Sequence, residues 1–400
     1  MRKSSLFYAA GILAVIIAGI YSCKKVNGIN NDQVIQTPYS LYFADTAGAV
    51  FNTNNGKDIN PTIFRADGKP TRALCISGTN LLFNKTNVYI STDNGKNFNH
   101  SFDSLLGLPA VTCNLTDSID LEQSMILDIP SLNRLYTMSN TPYPLASNYL
   151  GLVFNDDHGI RGHWHYDGTY DTVGDMGILP IASTSITMMP NGVIAALALN
   201  CNPGSAYHAD TGIVRNIWAV NESGWIRWHE KTGNPNPVKY PNIGGKDRSG
   251  TPLPSIDLTN QPSGYFTLGH FNNRLIAIDH KCLYGAFYSD DTGKNWIQFS
   301  GLPANTAMLC VQSPFEQICL IGTAGMGLYA YDTHTGAFVP NNKGLASHLI
   351  VRSIAAKQNV YKNGNIEKFI FLATNQGIYQ STDNGLNWTK TIPGNFVSVY

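Results

Sequence analysis

The stretch Ser91-Thr92-Asp93-Asn94-Gly95-Lys96-Asn97-Phe98 decides the fold, because it returns twice without a gap. The copies are Ser289-Asp290-Asp291-Thr292-Gly293-Lys294-Asn295-Trp296 and Ser381-Thr382-Asp383-Asn384-Gly385-Leu386-Asn387-Trp388. The shared pattern is Ser-x-Asp-x-Gly-x-x-Trp/Phe. Each copy follows a strand-forming run: Val88-Tyr89-Ile90, Ala286-Phe287-Tyr288 and Gly377-Ile378-Tyr379-Gln380. Such a pattern specifies a tight hairpin. Glycine supplies the positive φ that a G1 bulge needs. The Asp carboxylate folds back onto the N–H groups of the turn. Ser braces that carboxylate, and the aromatic opens the next strand and packs beneath the turn.

Degenerate copies fill the intervals. Asn155-Asp156-Asp157-His158-Gly159 precedes Trp164, Asn221-Glu222-Ser223-Gly224 precedes Trp228, and Asp332-Thr333-His334-Thr335-Gly336 precedes Phe338. The glycines at 95, 159, 224, 293, 336 and 385 are separated by 64, 65, 69, 43 and 49 residues. Each interval has room for four short strands, which is one propeller blade. A second register agrees: Gly107-Leu108-Pro109, Gly301-Leu302-Pro303 and Gly344-Leu345-Ala346 follow their turns at a similar distance. The expected fold is therefore all-β, a six-bladed β-propeller of four-stranded antiparallel blades over residues 38–400. Residues 38–70 would make a seventh blade if they form one without a box turn. Ring closure should pair Ser40-Leu41-Tyr42-Phe43-Ala44 with Phe396-Val397-Ser398-Val399-Tyr400.

The repeated motif resembles the Asp-box, or BNR repeat, of sialidases, xyloglucanases and sortilin-type receptors. That resemblance implies that the box turn joins the third and fourth strands of each blade. Ser91, Asp93, Gly95, Phe98, Asp157, Gly159, Trp164, Ser289, Asp291, Gly293, Trp296, Ser381, Asp383, Gly385 and Trp388 are then structural. It also implies that ligands bind the opposite face, where the second-to-third and fourth-to-first connections meet the axis.

Charge and composition narrow the function. The chain of 400 residues has 27 basic and 27 acidic residues, and only 14% of it is charged, against about 25% in ordinary soluble domains. Zero net charge excludes a polyphosphate held by counterion release, so no nucleic-acid partner is expected. Disorder is excluded by the 11% aromatic content. The surface must be polar without being charged, which suits extracellular solvent and sugar-like ligands.

Arg2 and Lys3 precede an apolar run from Leu6 to Ile20, a basic n-region and an h-region too short for a comfortable membrane span. The sequence Ile20-Tyr21-Ser22-Cys23 resembles the lipobox of bacterial lipoproteins. That resemblance implies cleavage before Cys23 and acylation of its thiol and new amine, and several acyl chains make a stable anchor. The other readings are an uncleaved anchor helix and an ordinary secretory signal. Residues 1–22 are then the leader, and 23–37 the lipidated cysteine with a polar tether beginning Lys24-Lys25. Lys at 24 does not carry the inner-membrane retention signal that Asp would, so an outer-membrane lipoprotein of a Gram-negative envelope is expected, on its periplasmic or surface face. Export permits disulfides. The one local pairing the spacing suggests is Cys310–Cys319 across a hairpin at Ser313-Pro314, and the alternative is free buried thiols.

Candidate ligand-face residues follow from the blade register. The longest connection, about 230–263, carries Tyr240, Arg248 and Asp257; long connections carry function. Tyr143, Tyr207, Asp210, His280 and Arg352 fall in or beside the other loops of that face. Tyr rings beside Asn and Asp suit sugar stacking. His163-Trp164-His165 would place two imidazoles on one face of a strand. Trp164 is already the box aromatic, however, so no metal is expected, and no cofactor. Calcium in the Asp-rich turns is the minor alternative.

A sialidase needs an arginine triad, a Tyr–Glu pair and an Asp acid/base. The Arg-Ile-Pro signature of that family is absent, and Phe64-Arg65-Ala66-Asp67 does not match it. Arg134 and Arg274 each open a second strand within Asn-Arg-Leu, which puts them at the box end and leaves Arg215, Arg248 and Arg352 for the ligand side. A xyloglucanase-like hydrolase would need two carboxylates flanking the bond, for which Asp210, Asp257 and Asp279 are the conceivable sources. The leading expectation is a monomeric, non-catalytic, lipid-anchored binding or scaffold module for glycan or protein partners. The alternative is a sialidase-like or xyloglucanase-like glycoside hydrolase.

Overall fold

In the computed structural model the described residues are 34–61, 63–71, 73–84, 88–101, 104–106, 126–130, 133–139, 142–143, 147–148, 151–160, 163–166, 171–172, 178–179, 181–190, 194–200, 215–221, 224–227, 266–280, 285–291 and 297–400. Of 104–106, 137–139, 142–143, 147–148, 151–154, 163–166, 171–172, 178–179, 181–186, 194–200, 215–221, 224–227 and 266 only the backbone is described. The chain divides into two compact units. The larger is 40–356 with 369–400, and the smaller is 1–39 with 357–368.

The larger unit is an all-β propeller. Sheet 1 is Val50–Thr53, Leu41–Asp45 and Phe396–Val399 in that order. Sheet 2 runs Ala73–Ser77, Asn80–Asn84, Val88–Ser91 and Asn99–His100. Sheet 3 runs Ile126–Ile129, Arg134–Ser139, Gly151–Asn155 and His163–Tyr166, with Ser104–Leu106 added in parallel at its outer edge. Sheet 4 is Ile181–Met188, Ile194–Asn200, Arg215–Asn221 and Gly224–Arg227. Sheet 5 is Phe266–Phe271, Arg274–Asp279, Ala286–Ser289 and Ile297–Gln298. Sheet 6 is Met308–Gln312, Leu320–Thr323, Leu328–Asp332 and Ala337–Pro340. Sheet 7 is Val351–Tyr361, Ile366–Thr374, Gly377–Ser381 and Thr389–Pro393. All six box turns, intact and degenerate, join third to fourth strands of sheets 2 to 7. Sheet 1 lies outside that train.

The second strands show why sheets stack around a ring. Leu81-Leu82-Phe83, Leu275-Ile276-Ala277-Ile278 and Ile370-Phe371-Leu372-Ala373 are apolar without alternation and buried throughout. A strand reads this way when both faces of its sheet are covered. Four of the interfaces show one apolar cluster drawn from two successive sheets. Tyr42, Ala44 and Val50 meet Leu74, Leu81 and Phe83 between sheets 1 and 2. Cys75, Leu82, Val88 and Ile90 meet Ile126 and Leu135 between sheets 2 and 3. Phe271, Ile276 and Ile278 meet Met308, Ile321 and Phe338 between sheets 5 and 6. Leu320 and Leu328 meet Val351, Ile370 and Leu372 between sheets 6 and 7. Each fully buried Leu, Ile or Phe contributes about 2 kcal/mol.

A backbone link recurs between sheets. Phe338 N donates to Ser300 O at 2.9 Å and Trp388 N to Lys343 O at 3.0 Å, so each aromatic after a box is tied to the connection that leaves the preceding sheet. The next residue of that connection is glycine in both cases. A Cβ on Gly301 would stand 1.9 Å from Phe338 O, and one on Gly344 would stand 2.0 Å from Trp388 O, at φ of 85° and 89°. Trp164 pairs with Leu105 in a parallel ladder. At Gly301 and Gly344 the second sequence register is thus the sheet-to-sheet contact.

The ring closes between the chain ends. Phe43 pairs with Val399 and Ala44 with Ser398. Tyr42 and Tyr400 exchange N–H···O bonds of 2.9 and 2.8 Å.

In the smaller unit, Ile35 pairs with Tyr361 and Thr37 with Val360. Tyr39 N donates to Asn359 Oδ1 at 3.0 Å. Residues 35–37, counted as tether from the sequence, are therefore a strand.

The Cys310–Cys319 bridge does not form, and both are free thiols. Cys310 faces Gly322 and Gln312 faces Leu320 across the ladder, so Cys319 is three positions from the partner of Cys310. An odd offset puts the two thiols on opposite faces: Cys310 packs against the cluster of sheets 6 and 7, and Cys319 sits in that of sheets 5 and 6. Burial pushes the Cys319 thiol up to about 12, which leaves it unreactive.

Gly344→Ala should cost ~3 kcal/mol or more and lower Tm by roughly 5 °C or more, through overlap and strain together. Gly68→Ala should cost about 1 kcal/mol, since Gly68 has φ of 81° but open space around it. Equal melting temperatures for the two variants would refute the close-approach role.

Candidate functional site

The box turns repeat to within 0.1 Å where two intact copies can be compared. Ser91 Oγ donates to Asp93 Oδ1 at 2.7 Å and accepts from Gly95 N at 2.8 Å. Asn97 donates its N–H to Asp93 Oδ1 at 2.9 Å and its amide to Oδ2 at 2.7 Å. Ser381, Asp383, Gly385 and Asn387 form the same set at 2.8, 2.8, 2.9 and 2.6 Å. Ser289 donates to Asp291 at 2.7 Å, while Gly293 and Trp296 lie outside the described residues. Two residues in each turn take the left-handed conformation: Asn94 and Gly95, and Asn384 and Gly385. Asn tolerates it through local hydrogen bonding and Gly through the missing Cβ.

These carboxylates are held as anions. Hydrogen bonds from the Asn97 backbone and the Ser91 hydroxyl hold Asp93 down at about 2. Burial pushes Asp383 up, but the Asn387 and Ser381 donors outweigh it and bring it to about 2. Phe98 packs on Phe83 and Phe64 at 5.1 and 5.6 Å between ring centroids. Trp388 is buried in the cluster of sheets 6 and 7.

The degenerate turns keep the geometry with other donors. Asn155 Oδ1 stands in for the serine, accepting from Gly159 N at 2.6 Å and from Asp157 N at 3.0 Å. Asp332 accepts from His334 N and from the Thr335 hydroxyl. His158, at a φ of 58°, ties sheets 2 and 3 through Ser77. The Ser77 hydroxyl donates to Asp128 Oδ1 at 2.8 Å and lies 2.6 Å from His158 Nδ1. This Ser–His–Asp group is no nucleophilic triad. Ser sits between the other two, its one hydrogen points to the carboxylate, and its side chain is fully buried.

A seventh turn escaped the sequence reading. After the third strand of sheet 1, Thr53 Oγ1 accepts from Gly56 N at 3.1 Å. Asn55 Oδ1 accepts from Lys57 N and Asp58 N at 2.9 Å each. Phe64 then bridges back to Val50. Asn replaces Asp, glycine comes one residue early, and the aromatic arrives late, so the pattern was hidden.

Of the residues expected on the ligand face, Tyr143 is described by backbone alone, and Tyr207, Asp210, Tyr240, Arg248 and Asp257 lie outside the described residues, as does Cys23. His280 and Arg352 are described, and they are not brought together. The His280 Nε2 hydrogen-bonds Thr267 Oγ1 within sheet 5. Arg352 reaches from sheet 7 to sheet 1, donating from Nη1 to Asn395 Oδ1 at 2.7 Å and to Phe396 O at 2.9 Å. It braces the closing strand. Arg274, at the box end, forks onto Asp290 at 2.7 and 3.0 Å and lies 4.0 Å over the Tyr288 ring. Several tyrosines are core residues, with Tyr136, Tyr379, Tyr329 and Tyr42 buried, so part of the tyrosine excess is packing. Among the described residues no three His, Cys, Asp or Glu side chains cluster so as to hold a metal ion.

No known family profile matches the chain, and no curated protein does. Solved structures show distant likeness. YCF48 bound to D1 peptide is 12% identical, covers 84% of this chain and 86% of its own, and has a TM-score of 0.43. The Niastella koreensis GH74 enzyme is 14% identical over 90% of this chain and 50% of its own, at 0.36. A protein of unknown function from Bacteroides caccae is 10% identical over 91% and 98%, at 0.38. None of these likenesses bears on ligand or chemistry; the propeller architecture stands on the sheets and interfaces described above.

The box carboxylates should show in acid stability. Asp383 titrates near 2 in the folded chain against an ordinary 3.8, so its contribution is complete above about pH 4 and is lost as pH falls towards 2. Urea midpoints at about pH 5 and pH 2.5 should drop less for Asp383→Asn than for the parent chain. Equal drops would refute the assignment.

Proposed function

We propose that the chain is a lipid-anchored, non-catalytic propeller of a Gram-negative cell envelope. It is held in the outer membrane through Cys23 and binds a glycan or protein partner on the face opposite the box turns. We read the propeller as seven blades, since the sheet at 41–53 closes with 396–399 beside the six that carry the box turns of the sequence train. The lipobox resemblance at Ile20-Tyr21-Ser22-Cys23 supports the anchor.

The observation that carries the non-catalytic reading is where five of the described carboxylates are committed. Asp93, Asp332 and Asp383 serve their turns and are all held below the usual carboxylate range. Asp290 is forked by Arg274. Glu367 accepts from the Tyr361 hydroxyl at 2.8 Å. A general acid for glycoside cleavage needs the reverse, a carboxyl raised towards neutral pH. Arg352, the described arginine of the ligand side, is tied to Asn395 and Phe396 in ring closure, which supports a structural duty rather than capture of a substrate carboxylate.

Purified residues 24–400 should release no fluorophore from a panel of fluorogenic glycosides. Turnover above the protein-free rate, abolished by substitution at Asp210, Asp257 or Asp279, would replace this reading with a glycoside hydrolase. For the anchor, the full chain expressed in a Gram-negative host should incorporate labelled palmitate and float with membranes. Cys23→Ser should lose both, and label retained by that variant would exclude lipidation at Cys23.

A further inference from the structure

The smaller unit holds a surface that the binding reading does not use. Its core is a hairpin. Tyr361 N donates to Asn365 O and Gly364 N to Tyr361 O, each at 2.9 Å, so Val360 stands opposite Ile366 and Asn359 opposite Glu367. Alternation then separates the chemistry by face. Asn359, Tyr361 and Glu367 share one face, where Tyr361 Oη and Asn359 Nδ2 donate to the Glu367 carboxylate at 2.8 and 3.3 Å. Val360, Ile366 and Lys368 share the other, and exposed Lys362 stands at the tip. Ile366 is 53% exposed. Lys357 lies on the face of Glu367, while Lys362 and Lys368 are exposed.

The third strand of this unit is Ile35–Thr37, and Lys362 N donates to Val34 O at 3.0 Å. Val34 is eleven residues from Cys23, a reach of at most about 40 Å. Lys24 and Lys25 begin that tether. An acyl chain at Cys23 would therefore keep this hairpin within a short tether of the bilayer, at high effective concentration.

We infer that the hairpin 357–368 is a membrane-contact arm: Lys362 and Lys368 meet anionic phospholipid headgroups while Ile366 enters the interface. The inference rests on the lipid-anchor reading for its physiological setting. The chemistry is that of a basic patch with an apolar residue, which binds anionic surfaces weakly by itself and effectively beside an anchor. The contact should weaken with salt.

The test replaces the acyl chain with an artificial tether, so that it does not depend on acylation of Cys23. Residues 24–400 carrying an N-terminal histidine tag are held on vesicles containing nickel-chelating lipid. Asn363→Cys at the tip carries an environment-sensitive fluorophore, and the chain without that cysteine gives the background. Emission should shift to the blue on vesicles with about a third phosphatidylglycerol and not on phosphatidylcholine, and 0.5 M NaCl should reverse the shift. K362E/K368E should weaken the contact by roughly fivefold or more per lysine while melting with the parent chain, and K362Q/K368Q should fall between. Identical emission on the two vesicle types, or a full shift retained by K362E/K368E, would overturn the inference. Palmitate labelling of Cys23 is read separately, so loss of the anchor reading and loss of the arm are distinct results.

Discussion

The constraint on which the propeller depends is the exchange of hydrogen bonds between the two ends of the larger unit. Tyr42 and Tyr400 bond in both directions, and Leu41–Asp45 lies beside Phe396–Val399. Left open, the ring would expose two strand edges and the apolar sides of two sheets. Closure buries Phe43 against Phe51 and Phe396, with centroids 5.5 and 5.2 Å apart. Arg352 and Ser353 of sheet 7 add side-chain bonds to Asn395, Phe396 and Val399 across the same seam. The arginine that sequence reasoning placed among ligand contacts is thus part of the closure.

Around the ring, two devices recur. The box turn fixes the third and fourth strands of a sheet, with a carboxylate satisfied by serine, backbone and asparagine donors. The backbone of the aromatic that follows then bonds the connection from the preceding sheet, where glycine allows the approach. One residue, such as Trp388, therefore packs the interior with its ring and aligns neighbouring sheets with its N–H. This double duty explains why the aromatic and the Gly-Leu-Pro register recur together, which spacing alone left unexplained.

Legibility differed by residue type. The intact boxes were readable because their hydrogen bonds are local in sequence: Ser91 to Asp93 and Asp93 to Asn97 span two and four residues. The Thr53-Asn55-Gly56 turn makes equivalent bonds with different residues, and its sequence departs from the Ser-x-Asp-x-Gly pattern. The Cys310–Cys319 pairing failed because sequence distance says nothing about ladder register, and register decides which face a thiol takes. The candidate ligand face was the least legible. Its residues sit on connections, where no periodicity constrains them, and of those named only His280 and Arg352 have described side chains, each engaged by a partner that lies 13 or more residues away.

By itself the sequence determined the local elements: hairpins where Asp and Gly satisfy a turn, apolar second strands, and the number of residues each sheet can hold. These are short-range consequences of backbone conformation and hydrogen bonding. Only the tertiary structure decided which strand shuts the ring, that residues 41–53 contribute a sheet without a recognisable box, that Arg352 braces a seam, and that Ile35–Thr37 joins the hairpin at 357–368. Those outcomes depend on contacts between residues up to some 350 positions apart, and such contacts are settled by burial and register across the whole chain rather than by any stretch of it.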